Sequence, residues 1–211
     1  MKKLIALVAA VCSAAVVQAG DWTFDSMNTA AGITDGTWTF GVSINKTKRT
    51  VSIDRVKVAP QTVTALDFSK PVRDENGDEW TISTLNCGFV DNNASPVNYV
   101  GRAGFAEFVG ELTLPGEGLT TISAFALGSC KNSFGVLKLP STLTSVGRMA
   151  FQDNKNITIY AKDFPPALKT LSSDSAFKGV NIVGDLDLTA LEGTLASSVF
   201  QGCKNLTSVK F

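Results

Sequence analysis

Residues 137–160, LKLPSTLTSVGRMAFQDNKNITIY, open on an apolar alternation at Leu137 and Leu139 and close on another at Ile157 and Ile159. A stretch that returns to its starting pattern reads as one turn of a coil, and internal repetition constrains a fold more than any local propensity does. The turn recurs. Val146-Gly-Arg-Met-Ala-Phe151 has a near twin in Val100-Gly-Arg-Ala-Gly-Phe105. Looser versions are Ile122-Ser-Ala-Phe-Ala-Leu127, Ser175-Ala176-Phe177 and Leu195-Ala-Ser-Ser-Val-Phe200. A small or branched residue therefore falls at Gly104, Ala126, Ala150, Ala176 and Val199, in steps of 22, 24, 26 and 23, each followed by a large apolar side chain. Three residues beyond the large one stand Phe108, Cys130, Asn154, Val180 and Cys203. Short alternations fill the gaps: Leu112/Leu114, Leu137/Leu139, Ile157/Ile159, Leu186/Leu188 and Val209/Phe211.

Residues 200–209 (FQGCKNLTSV) and the coil at 137–160 carry the pattern most fully. On these residues the chain resembles the BspA-type leucine-rich repeat, a unit of roughly 23 residues common in bacterial surface proteins. The resemblance runs from Val100 to the end, about half the chain, with a stretched coil at 163–185 and a short first coil. It implies a mostly β fold: a right-handed-coil leucine-rich-repeat solenoid with a parallel strand ladder and an irregular or short helical convex side. A single coil orders more backbone than its few apolar side chains can offset, so coils must stack and the outermost layer must be capped.

The N-terminal part supplies candidates for that cap. Residues 1–19 begin with Lys2-Lys3, continue as an apolar run from Leu4 to Val17 and end on Val17-Gln18-Ala19, the plan of a secretory signal peptide. Cys12 belongs to the apolar run, which is short for a membrane span. Residues 20–80 read as a β-hairpin cap module, with 81–211 as the solenoid of about five coils, the last incomplete. Trp38, Phe40, Val42 and Ile44 alternate with polar or small residues, then Val51, Ile53, Val56 and Val58 continue on a second strand. The basic tip Lys46-Thr-Lys48-Arg49 between them reads as a solvated turn. Residues 63–68 and 79–85 are further strand candidates, with Asn76-Gly77 as a tight turn before the second. Trp38, Phe40 and Trp80 are the candidate capping side chains.

Composition removes several chemistries. The 211 residues contain no histidine, which excludes the commonest general base and the Ser-His and Cys-His nucleophile pairs. Neither a CxxC pair nor a phosphate-binding glycine loop occurs. No cofactor or metal is expected. Acidic residues 74–79 (DENGDE) resemble a calcium loop only superficially, because the twelfth position is Leu85 where a calcium loop needs glutamate. They read as a hydrated hairpin tip, with weak calcium binding as the alternative. Basic and acidic residues balance at 19 each, and loss of Lys2 and Lys3 leaves 17 against 19, so nothing points to nucleic acid. The cysteines beyond the leader, Cys87, Cys130 and Cys203, read as unpaired with one another, small apolar core residues in preference to reactive thiols. Sequons at Asn45, Asn93, Asn156 and Asn205 read as turn-stabilising asparagines or as glycosylation sites.

On the strands, residues flanking the inward pairs point outward and line up between coils. Those positions are Thr113, Lys138, Thr158, Asp187 and Lys210, with Tyr160 beside them, and they form the candidate binding face. The resemblance implies an exported, secreted or cell-surface bacterial protein, non-enzymatic and adhesin-like, contacting a protein or glycan, with no transmembrane segment after signal cleavage. The alternative is a purely structural spacer or the N-terminal part of a larger surface assembly. Residues 207–211 open a further coil without completing it, so a longer natural protein or self-association through the C-terminal edge is expected.

Overall fold

The computed structural model of the protein describes residues 20–86, 105–171, 174–193, 195–196 and 198–211. The leader-like segment 1–19, Cys87, the sequon at Asn93 and the repeat landmarks at 100–104 lie outside the described residues. The fold is mostly β, and two short 3-10 turns, Phe105–Phe108 and Ala161–Asp163, are the helical elements among the described residues.

Seven strands come first: β1 (Trp22–Thr23), β2 (Ile33–Thr34), β3 (Thr39–Asn45), β4 (Thr50–Val58), β5 (Thr64–Asp67), β6 (Val72–Arg73) and β7 (Glu79–Leu85). The expected hairpin is β3–β4, paired antiparallel from Asn45↔Thr50 to Thr39↔Val58. The expectation of a hairpin cap, however, is too small. Pairing runs β7–β4–β3–β2–β1–β6 and returns from β6 to β7, so six strands close into a barrel. Closure removes the open edges that a lone hairpin would present. Three of these strands have two residues each, too short for an alternation to be read from sequence. Trp22, Trp38, Phe40 and Phe68 are buried, with Trp22–Phe68 ring centroids 5.5 Å apart, Phe40–Phe68 5.5 Å and Trp22–Phe40 5.8 Å.

β5 stands outside the ring. The indole nitrogens of Trp22 and Trp38 donate to the carbonyls of Asp67 (2.7 Å) and Ala65 (3.2 Å), alternate residues of β5. β5 also pairs in parallel with the first strand of the repeat region, β8 (Val109–Thr113), at Thr64↔Val109, Leu66↔Leu112 and Asp67↔Thr113. Two tryptophans thus serve the backbone groups that a neighbouring strand would otherwise satisfy.

The remaining strands are β9 (Thr121–Ile122), β10 (Gly135–Val136), β11 (Ser145–Val146), β12 (Ile157–Tyr160), β13 (Thr170–Leu171), β14 (Asn181–Asp187) and β15 (Leu206–Lys210). They divide between two parallel ladders that the chain visits alternately. One runs β4–β7–β9–β11–β13. The other begins with β5–β8, continues through the Glu111↔Phe134 bridge and ends β10–β12–β14–β15. The boundary read at residue 80 falls inside β7. Glu79 and Trp80 pair with β6 to close the barrel, while Thr84 and Leu85 pair with β9 to extend the ladder. Buried side chains form one core from Trp22 to Cys203.

The corners between ladders also stack. Leu127 N–H donates to the Ala150 carbonyl (2.9 Å), Phe151 to Ala176 (2.8 Å) and Phe177 to Val199 (3.0 Å). To make the corner, the residue before each small one adopts positive φ: Phe125 61°, Met149 53°, Ser175 64° and Ser198 73°. A second left-handed position follows three residues after the small one, at Ser129, Asp153, Gly179 and Gly202. Glycine relieves the side-chain clash at the last two. Inside, Phe177 stacks between Phe151 (5.2 Å, 11°) and Phe200 (5.9 Å, 11°).

Corner residues Cys130, Asn154, Val180 and Cys203 are all buried, as expected for the two cysteines. Asn154 spans two coils: Nδ2 donates to the Leu127 carbonyl and Oδ1 accepts from Cys130 N–H, each 2.8 Å. The Cys203 thiol donates to the Phe177 carbonyl at 3.1 Å and stands in for that amide. Burial pushes this thiol up to about 11. Cys130 and Cys203 are not joined to each other, with two corners between them.

Candidate interaction face

The second ladder has a buried and an outward side. Leu112, Leu137, Leu139, Ile157, Ile159, Ile182, Leu186 and Leu188 are buried, as the alternation requires. Lys138, Tyr160, Asp187 and Lys210 are exposed, and Thr113 and Thr158 are half-buried beside them. All six candidate residues therefore lie on the side assigned to them.

Their alignment differs from the expected row. Val136 is the partner of Thr158, and Thr158 in turn of Asn181. Two residues further along, Lys138 comes alongside Tyr160, which pairs with Val183. Thr158 is thus one row away from Lys138. A slip of two residues keeps every side chain on its face, so alternation alone cannot distinguish these registers.

The corrected register gathers three candidates around Val136. Val136, Lys138, Tyr160, Lys162, Phe164 and Pro165 line a groove of about 610 Å³. A second groove of about 470 Å³ shares Val136 and Lys138 and adds Thr113, Pro115 and Pro140. The Lys162 ammonium lies 5.8 Å from the Tyr160 ring centroid, a cation–π distance. Phe134 and Val136, which the sequence reading passed over, are 57% and 51% exposed, and Tyr160 is 38% exposed. A signal for them existed: Val136 and Leu137 are adjacent, and adjacent residues of a strand cannot both face inward.

The other three candidates are occupied with neighbours. Thr158 Oγ1 accepts from Asn181 Nδ2 at 2.9 Å, and Asn205 Nδ2 donates to Asn181 Oδ1 at 2.7 Å, continuing the side-chain ladder. Asp187 and Lys210 are register partners and pair at 3.4 Å. Hydrogen bonds from the Thr189 hydroxyl and N–H hold the Asp187 carboxyl below its ordinary value, with Lys210 adding to the effect. The sequon asparagines serve turns and rungs: Asn45 Oδ1 accepts from Lys48 N–H at 3.0 Å, and Asn156 Nδ2 donates to the Lys131 carbonyl at 3.1 Å.

The acidic hairpin tip is turned inward at its key residue. Asp74 Oδ1 accepts from the N–H groups of Asn76 and Asp78, each at 3.0 Å, and Oδ2 from Trp80 Nε1 at 3.0 Å. Among the described residues, no cluster of three Cys, Asp or Glu side chains is arranged to hold a metal ion.

The fold is similar to that of a leucine-rich repeat protein from Bacteroides ovatus, with a TM-score of 0.55 and 18% identity. The match covers 82% of this chain and 39% of that one, so the chain spans well under half the length of its relative. A leucine-rich repeat protein from T. pallidum matches with a TM-score of 0.43 and 14% identity, covering 81% of this chain and 78% of that one. No curated protein matches the chain. The BspA type leucine rich repeat region matches residues 98–211 in six copies. That is more than half of the sequence, and the chain belongs to the BspA-type leucine-rich-repeat family.

Proposed function

We propose that this is an exported, non-enzymatic leucine-rich-repeat solenoid that contacts a partner protein through the outward side of its second ladder. The observation that carries the reading is the apolar strip Phe134, Val136 and Tyr160, exposed beside two adjoining grooves. Exposed apolar groups clustered at a groove mark contact sites more often than scattered ones do. Lys138 and Lys162 flank the strip while Asp163 and Glu111 line the same two grooves, so the complementary partner is a protein segment with an aliphatic or aromatic anchor and flanks of mixed charge. Family membership supports an interaction role at the bacterial surface or outside the cell. Export rests on the signal-peptide plan of residues 1–19. Among the described residues no helix is long and apolar enough to cross a membrane.

The test is surface plasmon resonance of the purified protein against immobilised extracellular-matrix proteins, with V136S/Y160S as the comparison. Loss of about tenfold or more in affinity, with unchanged melting temperature, supports the proposal. Equal binding by the variant removes the face from it. A structural spacer is the second reading, favoured by Asp187 and Lys210 pairing with each other and by Thr158 being held in the side-chain ladder.

A further inference from the structure

The repeat corners carry a second surface, away from the groove at Tyr160. Lys131, Lys155 and Lys204 each follow the buried corner residue of their coil, at Cys130, Asn154 and Cys203. In the coil between the last two the equivalent position is Asn181, and Lys178 stands beside it. Lys155, Lys178 and Lys204 line one open groove of about 520 Å³ together with Gln201, Asn181 and Asn205. Adjacent rungs are about 4.8 Å apart, so lysines two rungs apart are about 10 Å apart, close to the Debye length of about 8–10 Å.

Acidic partners are scarce there. Three lysines elsewhere are engaged in ion pairs: Lys70 with Asp35, Lys169 with Glu192 and Lys210 with Asp187. Lys131, Lys155, Lys178 and Lys204 take part in none of the ion pairs among the described residues. Asp153 is the one acid lining the groove, against three lysines. A chain of zero net charge therefore concentrates uncompensated positive charge along one edge.

We propose that this corner groove binds a sulfated oligosaccharide lying along the stacking direction of the coils. Lysine ammonium groups would meet sulfates on successive sugars. The Asn181 and Asn205 amides each spend one N–H in the side-chain ladder and keep a second for a sugar hydroxyl, and the Asn205 carbonyl oxygen and the Gln201 amide add further polar groups along the groove. Among the described lining residues none is aromatic, whereas single-stranded nucleic acid is held by stacking on aromatic rings. Gly179 and Gly202 leave the floor without side chains, so a sugar ring can approach the backbone closely.

The test titrates the purified protein with a heparin oligosaccharide by calorimetry over a range of salt concentrations. The unaltered protein, K155Q/K204Q, K131Q/K155Q and the hairpin-tip control K46Q/K48Q are compared. These lysines are exposed, so the substitutions leave the fold intact. Each corner pair is expected to weaken binding about tenfold or more and to lower the slope of log affinity against log salt by about 1 per lysine. The control should bind unchanged, and a desulfated oligosaccharide should bind much more weakly. Failure of the unaltered protein to bind heparin overturns the proposal. So does equal binding by the corner variants, equal loss in the control, or single-stranded DNA binding as tightly as the heparin oligosaccharide.

Discussion

Asn154 is the side chain on which one corner of the stack depends most directly. It is fully buried, and its amide satisfies a carbonyl and an N–H of the preceding coil, both at 2.8 Å. Asn154→Ala leaves the Leu127 carbonyl and the Cys130 N–H without that partner in a place water does not reach. Each such group costs about 1–3 kcal/mol, so the expected loss is about 2–6 kcal/mol. Against a total stability of about 5–15 kcal/mol for a folded domain, that is a large fraction. Urea denaturation should show a lower midpoint with little change in slope, and melting should fall by about 2–4 °C per kcal/mol. Asn154→Cys should fall between the native protein and N154A. The Cys203 thiol already makes the carbonyl contact at the equivalent corner, but sulfur accepts poorly from a backbone N–H. As a reference, Asn156→Ala removes an exposed hydrogen bond to the Lys131 carbonyl and should cost about 0.5 kcal/mol or less. A loss below about 1 kcal/mol in N154A, or a cost in N154C equal to that in N154A, would refute the argument.

Phe177→Ala removes the middle ring of the Phe151–Phe177–Phe200 stack and should cost about 3–5 kcal/mol by chemical denaturation; a cost under about 1 kcal/mol would mean the corner collapses to fill the space. Gly147→Ala places a Cβ 2.5 Å from the Ala124 nitrogen and 2.8 Å from the Ser123 carbonyl carbon, so a loss of about 1–3 kcal/mol is expected, whereas Gly193→Ala meets open space and is limited to the strain of its positive φ. Cys203 keeps its proton in the folded state up to about 11, above the ordinary thiol value of 9.0. Its contribution is therefore fully present below about pH 9 and is lost as the pH rises from about 9 to about 11, and C203A should remove that part of the decline in urea midpoints measured across this window. The charge reversal K138E/D187K alters exposed side chains and should leave the melting temperature nearly unchanged, whereas a large drop would place either residue in the core.

Facing was legible from the chain because it is a local property. Leu137, Leu139, Ile157 and Ile159 are buried and Lys138 is exposed because successive strand residues point to opposite sides, and two residues of sequence suffice to show it. The corner was legible for a similar reason. A small residue followed by a large one recurs at Ala126, Ala150, Ala176 and Val199, where the coils approach closely enough for backbone hydrogen bonding and the rings stack. The candidate site was half legible: Thr113, Lys138 and Tyr160 meet around Val136, but the apolar strip that joins them was not recognised.

Register and closure depended on partners distant in the chain. Thr158 lies opposite Val136, and not Lys138, because hydrogen bonding between coils chose one of two registers that alternate identically. The barrel needs β6 to meet both β1 and β7, and its two-residue strands have no periodicity to read. β5 is held by indoles from Trp22 and Trp38, 45 and 27 residues away. The lysine edge was hidden by an overall charge of zero, since composition averages over the surface while only stacking places Lys155 and Lys204 in one groove. The sequence by itself determined the repeat, its inward residues and its corners, all of which follow from near-neighbour sterics and periodicity. Tertiary structure decided the barrel, the register and the three grooves, because each requires backbone or side-chain groups that meet only after the chain has returned on itself.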